Sequence, residues 1–243
     1  GTRALQDQLE CPFRAFAHQR LGLRQERNPS EFPDALERGL TLHAVMQHLA
    51  ERCETSTHLT ALTEAQIYQA CTEVLQQRPP LPETFFDNEC ARLANLVRHW
   101  LDIESQRLPF TIDAVEREFQ LELAGLTFAL RVDRIDKVNN RAVVIDYKSS
   151  SKSASGATKS PPTDLQLPIY SLLDEQIASV AYACISDKEV KAVGIGEQAL
   201  SEAASGSLQI KPTPEPWTEQ RQQWQLALVD LAQALRDGDA TVT

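Results

Sequence analysis

The chain has 243 residues, of which 42% are hydrophobic, and its 34 acidic and 24 basic residues give a formal net charge of −10. This length suffices for one large domain or two small ones, and the apolar content suffices for a core. An acidic chain is not attracted as a whole to a polyanion, which counts against a nucleic-acid partner. No apolar run approaches the roughly 18 residues of a membrane span and the chain does not begin with a signal peptide, so we expect a soluble, cytoplasmic protein that contacts no membrane.

Apolar residues recur at helical spacing through the first 110 residues. Four helices are predicted, at 4–21, 35–52, 63–77 and 85–107. Pro12 suits a first helical turn, and Thr63 is a typical N-cap residue. His43 adjoins the apolar stripe of the second helix, and a histidine in that setting is more often a core or boundary residue than a ligand.

Five cysteines are dispersed along the chain, and no C-x-x-C pair occurs among them. An odd, scattered set favours reduced thiols in a cytosolic compartment over a disulfide framework or a zinc site. Cys53, Cys71 and Cys90 fall within helical patterns, so we predict that they are small core residues.

Polar and apolar residues begin to alternate after residue 113, which is typical of strands. Three strands are predicted, at 114–123, 128–136 and 141–148. A turn at Ala124-Gly125 joins the first two strands, and a turn at Asn139-Asn140 makes the last two an antiparallel hairpin. Glu116 and Glu118 share the polar face of the first strand; they could reach a site on the hairpin, although solvated strand residues are the more ordinary interpretation.

Two carboxylates, Asp133 and Asp146, fall on neighbouring strands of this hairpin. Side chains alternate along a strand, so Asp146 and Lys148 point to one face and Tyr147 points to the other. A carboxylate in so apolar a strand is costly unless a counter-charge is present. A divalent metal held by both carboxylates would supply that charge, with Lys148 positioning or deprotonating a water. A structural Asp–Lys pair at the strand end is an equally acceptable interpretation.

The segment at 149–162 is rich in Ser, Gly and Lys, and we expect a mobile loop that either grips substrate phosphates or serves as a plain linker. A helix is predicted at 164–176, with Gln166 and Tyr170 as an i, i+4 pair on one face. Strands are then predicted at 177–186 and 189–196 and a helix at 218–236. Residues 131–160 include seven basic and three acidic residues, so the candidate site is a basic part of an acidic chain.

Four short motifs occur in one order along the chain: Arg38-Gly39-x-x-x-His43, Val132-Asp133-Arg134-Ile135-Asp136, Asp146-Tyr147-Lys148 and Gln166-Leu167-Pro168-Ile169-Tyr170. With these motifs the chain resembles the PD-(D/E)xK nuclease superfamily, and within it the RecB- and AddB-like nuclease domains. Each motif alone is weakly specific, whereas four in order on the expected elements are strongly specific. The resemblance implies an α/β fold with a restriction-endonuclease-like core, in which helices flank a central mixed β-sheet, and an added N-terminal helical part.

The resemblance also implies a role for each motif. Lys148 is expected to orient the attacking water, and Gln166 and Tyr170 are expected to shape the site and contact the DNA backbone. The ligands expected for a Mg²⁺ or Mn²⁺ ion are His43, Asp133, Asp146 and the backbone carbonyl of Tyr147. For His43, the resemblance therefore favours a metal ligand, whereas the residue considered alone favours a core or boundary histidine.

Two positions depart from the usual motifs: Leu130 stands where a glycine is common, and Ser149-Ser150 follows the lysine in place of Thr-Gly. Neither position is a metal ligand, so we expect activity to survive. Close relatives carry an iron–sulfur cluster that is held by one early cysteine and three late ones. Cys11 stands at the early position, but no late trio occurs, so an iron–sulfur cluster is not expected in this chain.

We predict a single nuclease domain over 1–243, with a mostly helical part at 1–110, an αβ catalytic core at 111–197 and a C-terminal helix in 198–243, excised from a longer protein. The predicted function is that of a Mg²⁺- or Mn²⁺-dependent DNA exonuclease in recombinational repair, with a helicase or nuclease partner. The alternative is a catalytically inactive module of the same fold that binds DNA or acts as a scaffold in a helicase–nuclease complex. An enzyme acting on another substrate is less favoured because neither G-x-G-x-x-G nor G-x-x-x-x-G-K-[ST] occurs.

Overall fold

The computed structural model describes residues 1–24, 32–197 and 208–242. Its N-terminal part is helical, and the helices are α1 (Thr2–Glu10), α2 (Pro12–Gln19), α3 (Ala35–Ala50), α4 (Ser56–Thr60), α5 (Glu64–Leu75) and α6 (Glu83–Glu104). The helices predicted at 35–52, 63–77 and 85–107 are confirmed to within a few residues at each end. Helix α4 was not predicted, because five residues are too few for a periodic pattern to stand out.

The prediction of one helix at 4–21 is wrong, because two helices are separated there at Cys11. Cys11 has an extended backbone, with φ −163° and ψ 102°, and Pro12 is the first residue of α2. A proline disfavours the helical conformation of the residue before it, since its ring crowds that residue's backbone. Pro12 therefore begins a new helix and does not lie within a continuous one.

Helices α3 and α5 both begin with a capping box. The Asp34 carboxylate accepts the Glu37 N–H at 2.9 Å, and the Glu37 carboxylate accepts the Asp34 N–H at 2.9 Å. Thr63 makes the same exchange at α5, which confirms the predicted cap. Each box satisfies N–H groups that the start of a helix otherwise leaves unpaired. The box on α3 bears on the candidate site because α3 carries His43.

In the part of the chain that the structure describes, six strands form one mixed sheet in chain order, which confirms the predicted α/β class. The strands are β1 (Thr111–Leu123), β2 (Leu126–Val138), β3 (Arg141–Lys148), β4 (Ile177–Ile185), β5 (Val190–Gly196) and β6 (Leu208–Pro212). The pairs β3–β4 and β5–β6 are parallel, and the other neighbours are antiparallel. Strands β1 to β5 were predicted. Strand β6 was not, and it extends the sheet beyond the predicted core boundary at 197.

Both predicted tight turns are confirmed. Val138 pairs with Arg141 across Asn139 and Asn140, whose φ values are 50° and 62°. Two successive positive φ values match the right-handed twist of the flanking strands, and Asn tolerates this region better than most residues. The Ala124-Gly125 turn has the same form, with φ values of 49° and 77°. The turns therefore fix the register in which β2 meets its two neighbours.

Helices α7 (Gln166–Ser171) and α8 (Trp217–Asp237) also lie beside the sheet. Helix α8 confirms the helix predicted at 218–236. Helix α7 is much shorter than the predicted 164–176. Three residues beyond its end, the Asp174 carboxylate accepts the Gln176 N–H at 2.8 Å, a local bond that competes with helix formation.

The segment at 149–162 contains a 3-10 turn at Ala154–Gly156, and its mobility stays a prediction. The C-terminal part predicted at 198–243 begins with residues 198–207, which lie outside the described residues. Among the helices that the structure describes, none combines the length and the apolar character needed to cross a membrane.

Helices cover both faces of the sheet. Val143, Ile145 and Tyr147 of β3 belong to the core that includes α3, α5 and α6, whereas Val144 belongs to the core that includes α1, α7 and α8. This alternation follows from the two-residue period of a strand. The predicted core cysteines, Cys53, Cys71 and Cys90, are buried in the first of these cores. Burial raises the pKa of Cys71 to about 12, so this thiol stays protonated and packs as a small apolar group.

Gly194 on β5 lies so close to β4 that a side chain does not fit. A Cβ atom there would be 2.6 Å from the Val180 carbonyl oxygen and 2.7 Å from the Ala181 Cβ. Gly194→Ala is therefore expected to lower the free energy of unfolding by about 1–3 kcal/mol, measured by urea denaturation. Gly39→Ala is the control, because the added Cβ would come within 3 Å only of the Ser149 hydroxyl, which can rotate. Equal losses in the two variants would contradict the close approach of β5 to β4.

Candidate active site

The strands that carry the two predicted carboxylates separate at the point where those carboxylates lie. The paired segment of β2 and β3 ends with Arg134 opposite Ile145. Beyond this pair, the Tyr147 N–H donates to the Asp133 Oδ2 at 2.7 Å, so a side chain takes the place of a main-chain acceptor. The separation opens the end of the hairpin around Asp133 and Asp146. It was not predicted, because nothing in the local pattern marks where a ladder stops.

Asp146 is buried, and helix α7 holds one of its oxygens. Asp146 Oδ1 accepts hydrogen bonds from Gln166 Nε2 at 2.8 Å and from the Tyr170 hydroxyl at 3.0 Å. Gln166 Nε2 also donates to the Tyr170 hydroxyl oxygen at 2.9 Å. Burial, followed by the negative charge of Asp146, raises the pKa of Tyr170, so this hydroxyl keeps its proton and remains a donor. The structure thus brings the predicted i, i+4 pair directly onto Asp146.

The other oxygen of Asp146 is left for a cation. Lys148 Nζ lies 2.5 Å from Asp146 Oδ2, as expected for two side chains on one face of β3. Within the described residues Oδ2 nevertheless has no hydrogen bond of acceptable geometry, although the atom is buried. The Lys148 ammonium also lies 5.5 Å from the centre of the Tyr182 ring. The contact satisfies the structural Asp–Lys interpretation, and the missing hydrogen bond leaves a lone pair that a metal could use.

Helix α3 brings His43 to Asp133. His43 Nδ1 is 3.3 Å from Asp133 Oδ2, and its ring meets the Tyr147 ring edge to face at 6.0 Å. Gly39 lies one helical turn earlier, where an added Cβ would be 2.8 Å from the Ser149 hydroxyl. Gly39 and His43 therefore share the face of α3 that lies toward the end of β3, since residues four apart on a helix are neighbours.

The electrostatics of the site favour a bound cation. Burial and the neighbouring charge of Asp146 raise the pKa of Asp133 to about 7. Burial lowers the pKa of His43, which keeps its imidazole neutral, as a metal ligand must be. A divalent ion would relieve the repulsion between the two carboxylates.

The ligand atoms of the site fit a divalent ion in their chemistry, but they are not arranged as a complete coordination sphere. Carboxylate and backbone carbonyl oxygens suit Mg²⁺ or Mn²⁺, and the neutral imidazole is a softer donor beside them. In residues 1–24, 32–197 and 208–242, no three side chains of His, Cys, Asp or Glu lie together in a group that could already hold a metal. Contacts to Lys148 and to the Tyr147 N–H occupy the space around the carboxylate oxygens.

Glu116 belongs to the rim of this site. Its backbone has a φ of 50°, and its carboxylate lies 2.8 Å from Arg131 Nε. Burial raises the pKa of Glu116, and Asp146 contributes to that rise. The solvated interpretation of Glu116 is therefore wrong, because the side chain is partly buried, whereas Glu118 is exposed as that interpretation expects. The positive φ of Glu116 could not be predicted, because the alternating pattern of β1 does not indicate it.

A buried ion cluster supports the site from the opposite face of the sheet, and sequence analysis missed it. The cluster consists of Glu104, Arg107, Arg134 and Asp136. Arg134 donates to Asp136 Oδ1 at 2.7 Å and to Glu104 Oε1 at 2.9 Å. Arg134 also donates to the Tyr147 hydroxyl at 3.2 Å, which links the cluster to the residue whose N–H holds Asp133. Two charged residues at i and i+2 on a strand were the available signal, since one face must then carry both.

The fold and the site together define a nuclease-type α/β protein with a carboxylate–lysine site at the end of a hairpin. The sequence profile of the PD-(D/E)XK nuclease superfamily matches residues 3–243, and the chain belongs to that superfamily. This confirms the resemblance to the superfamily that the four motifs indicated, together with the restriction-endonuclease-like fold class. Comparison with curated protein sequences gives no match.

Two solved structures resemble the chain weakly. The crystal structure of SSO0001 is 14% identical, with a TM-score of 0.32, and the match covers 99% of this chain and 87% of SSO0001. Protein VC1899 from Vibrio cholerae is also 14% identical, with a TM-score of 0.24, and the match covers 99% of this chain and 59% of that protein. Neither likeness is close enough to carry an argument about this chain.

Proposed function

We propose that the chain is a Mg²⁺- or Mn²⁺-dependent deoxyribonuclease domain that acts as an exonuclease in recombinational DNA repair, similar to the RecB and AddB nucleases. The observation that carries the proposal is the convergence of Asp133, Asp146 and Lys148 at the separated end of the hairpin, with one buried oxygen of Asp146 lacking a hydrogen bond. Membership of the nuclease superfamily supports the reaction class, and the repair role rests on the four motifs.

Each polar residue of the site has a distinct task in this proposal. His43, Asp133, Asp146 and the Tyr147 carbonyl would hold the divalent ion, which would supply positive charge to the scissile phosphate and acidify a water. Lys148 would orient that water, because its ammonium already lies beside Asp146 Oδ2. Gln166 and Tyr170 would fix the direction of Asp146 by binding Oδ1, and they would contact the DNA backbone nearby.

The remaining parts of the proposal concern context. We place residues 1–243 in one domain, because the described helices pack on the two faces of a single sheet. A helicase or nuclease partner and a cytoplasmic location complete the proposal. Cys11 lies half-buried between α1 and α2, and the proposal gives it no iron–sulfur cluster.

Metal titration by calorimetry separates this function from its rival. The wild-type protein is expected to bind Mg²⁺ or Mn²⁺, and His43→Ala is expected to weaken that binding by at least about tenfold, because a ligand is lost. His99→Ala is the control, since His99 is exposed on α6. The rival is a non-catalytic DNA-binding or scaffolding module, which the contact of Lys148 with Asp146 favours. Absence of divalent binding, or binding that His43→Ala leaves unchanged, would support the rival.

A further inference from the structure

Two cavities adjoin each other between the candidate site and the N-terminal helices. The larger, of about 770 Å³, lies along α1 and α2, and the smaller, of about 300 Å³, lies between α1 and the start of α7. Arg3, Gln6 and Glu10 line both of them, so the two form one depression, here named the N-terminal cleft. Gln166 lines its inner end and donates to Asp146 Oδ1. The cleft therefore leads directly to the candidate active site.

The carboxylates that line the cleft already accept hydrogen bonds from neighbouring side chains. Asp7 accepts from Arg14 Nε at 3.0 Å and lies 2.8 Å from His18 Nδ1. Glu10 accepts from Gln6 at 2.7 Å and also pairs with Arg14. Asp164 accepts from the Tyr182 hydroxyl at 2.9 Å. Each carboxylate of the cleft thus already has a hydrogen-bond partner within the protein, and Asp7 and Glu10 share the charge of Arg14.

Three cations of the cleft, in contrast, are weakly compensated. Lys152 has no ion-pair partner among the residues that the structure describes. Arg24 donates to the main-chain carbonyls of His18 and Leu23, and in the described part of the chain it pairs with no carboxylate. The Arg3 side chain is 80% exposed, and its nearest acid, Asp7, is 3.7 Å away. These three side chains line the cleft from α2 to the site.

We propose that a single strand of DNA lies in the N-terminal cleft, with its phosphates on Arg24, Arg3 and Lys152, on its way to the carboxylates. The identity of the ligand rests on the proposed function, whereas the anionic character of the ligand rests on the three cations. The larger cavity has the volume of a drug-sized ligand site, which suits a few nucleotides of one strand and is too small for a duplex. No Phe, Tyr or Trp lines either cavity in the described structure, so contacts are to the backbone and are independent of sequence.

Charge reversal tests the cleft without any need for catalysis. Arg3→Glu, Arg24→Glu and Lys152→Glu are compared with wild type for binding of a fluorescently labelled single-stranded oligonucleotide, by anisotropy, in EDTA and over a range of salt concentrations. Each variant is expected to bind roughly tenfold more weakly, with a log–log salt slope smaller by about 0.7 for the phosphate contact that is lost. Arg98→Glu is the matched control, because Arg98 is exposed on α6, outside the cleft linings, and the change in net charge is identical.

Each outcome decides the proposal. Loss of affinity and slope in the three cleft variants, with Arg98→Glu like wild type, supports it. Wild-type affinity in the cleft variants, an equal loss in Arg98→Glu, no binding of single strands by wild type, or equal competition by duplex DNA would overturn it. A protein that binds single strands through the cleft but degrades no DNA with Mg²⁺ or Mn²⁺ would refute the proposed nuclease function and leave the cleft proposal standing.

Discussion

Replacing Lys148 with Ala is expected to abolish metal-dependent DNA degradation, with a residual rate at least about 10²-fold below wild type. The physical reason is that the Lys148 ammonium lies beside the buried oxygen of Asp146, where the attacking water is proposed to be oriented. Asp146→Asn should cause an equal or larger loss, because it removes the charge of a proposed metal ligand and keeps the shape of the side chain. The rates are measured on labelled DNA with Mg²⁺ and with Mn²⁺.

Metal affinity distinguishes the roles of these two residues. Lys148→Ala should bind the divalent ion at least as tightly as wild type, because the variant lacks the ammonium that now occupies the space at Asp146 Oδ2. Asp146→Asn should bind it much more weakly. Lys188→Ala, in the exposed connection between β4 and β5, is the control for loss of a lysine. Undiminished DNA degradation in either Lys148→Ala or Asp146→Asn, with both variants folded by thermal melting, would refute the assignment of the site.

The hairpin at the centre of the site could be predicted because its signals are local. Alternation gives β2 and β3, and the Asn139-Asn140 turn gives their register. Period two then places Asp146 beside Lys148, and helical spacing places Gln166 beside Tyr170. These relations depend only on residues close in sequence, so propensity and periodicity suffice for them.

The enclosure of the site could not be predicted in the same way. The Asp133 carboxylate accepts the Tyr147 N–H in place of a main-chain carbonyl. This hydrogen bond depends on the position at which β2 and β3 separate. His43 on α3 reaches Asp133 on β2, and Gly39 lies against Ser149, a residue more than a hundred positions away in the sequence. These are tertiary contacts. A single sequence contains both residues of each contact, but it does not show that they lie together in the fold. The motif resemblance supplied what periodicity could not.

Strand β2 also changes the face that it buries at the position of the candidate site. Leu130 and Val132 pack in the core that includes α8, whereas Arg134 donates to Glu104 at the end of α6 and to Asp136. The change occurs at Asp133, which lies between Val132 and Arg134. Strict alternation along β2 therefore does not predict which side chains are buried. In particular, it does not predict that the charged residues Arg134 and Asp136 are fully buried.

Asp136→Ala is expected to give the largest loss of stability in this part of the protein, about 3–5 kcal/mol. Asp136 is fully buried and accepts from Arg134 at 2.7 Å, while Arg107 lies 2.7 Å from its other oxygen. Burial opposes the charge on Arg134, yet Asp136 and Glu104 raise its pKa well above the usual value, so the arginine stays charged. Without Asp136, two buried guanidinium groups would share the single carboxylate of Glu104. The loss would be a large part of the roughly 5–15 kcal/mol that stabilises a typical domain.

The measurement is the free energy of unfolding from urea denaturation, with Asp113→Ala as the control. Asp113 pairs with Lys137 near the surface, and such pairs contribute about 1 kcal/mol or less. The site should respond as well, because Arg134 binds the Tyr147 hydroxyl and the Tyr147 N–H holds Asp133. In conditions where Asp136→Ala remains folded, its metal affinity should therefore fall, and that of Asp113→Ala should not. If Asp136→Ala is no less stable than Asp113→Ala, the cluster does not hold β2 against α6, and the support of the candidate site must come from α3 and α7 alone.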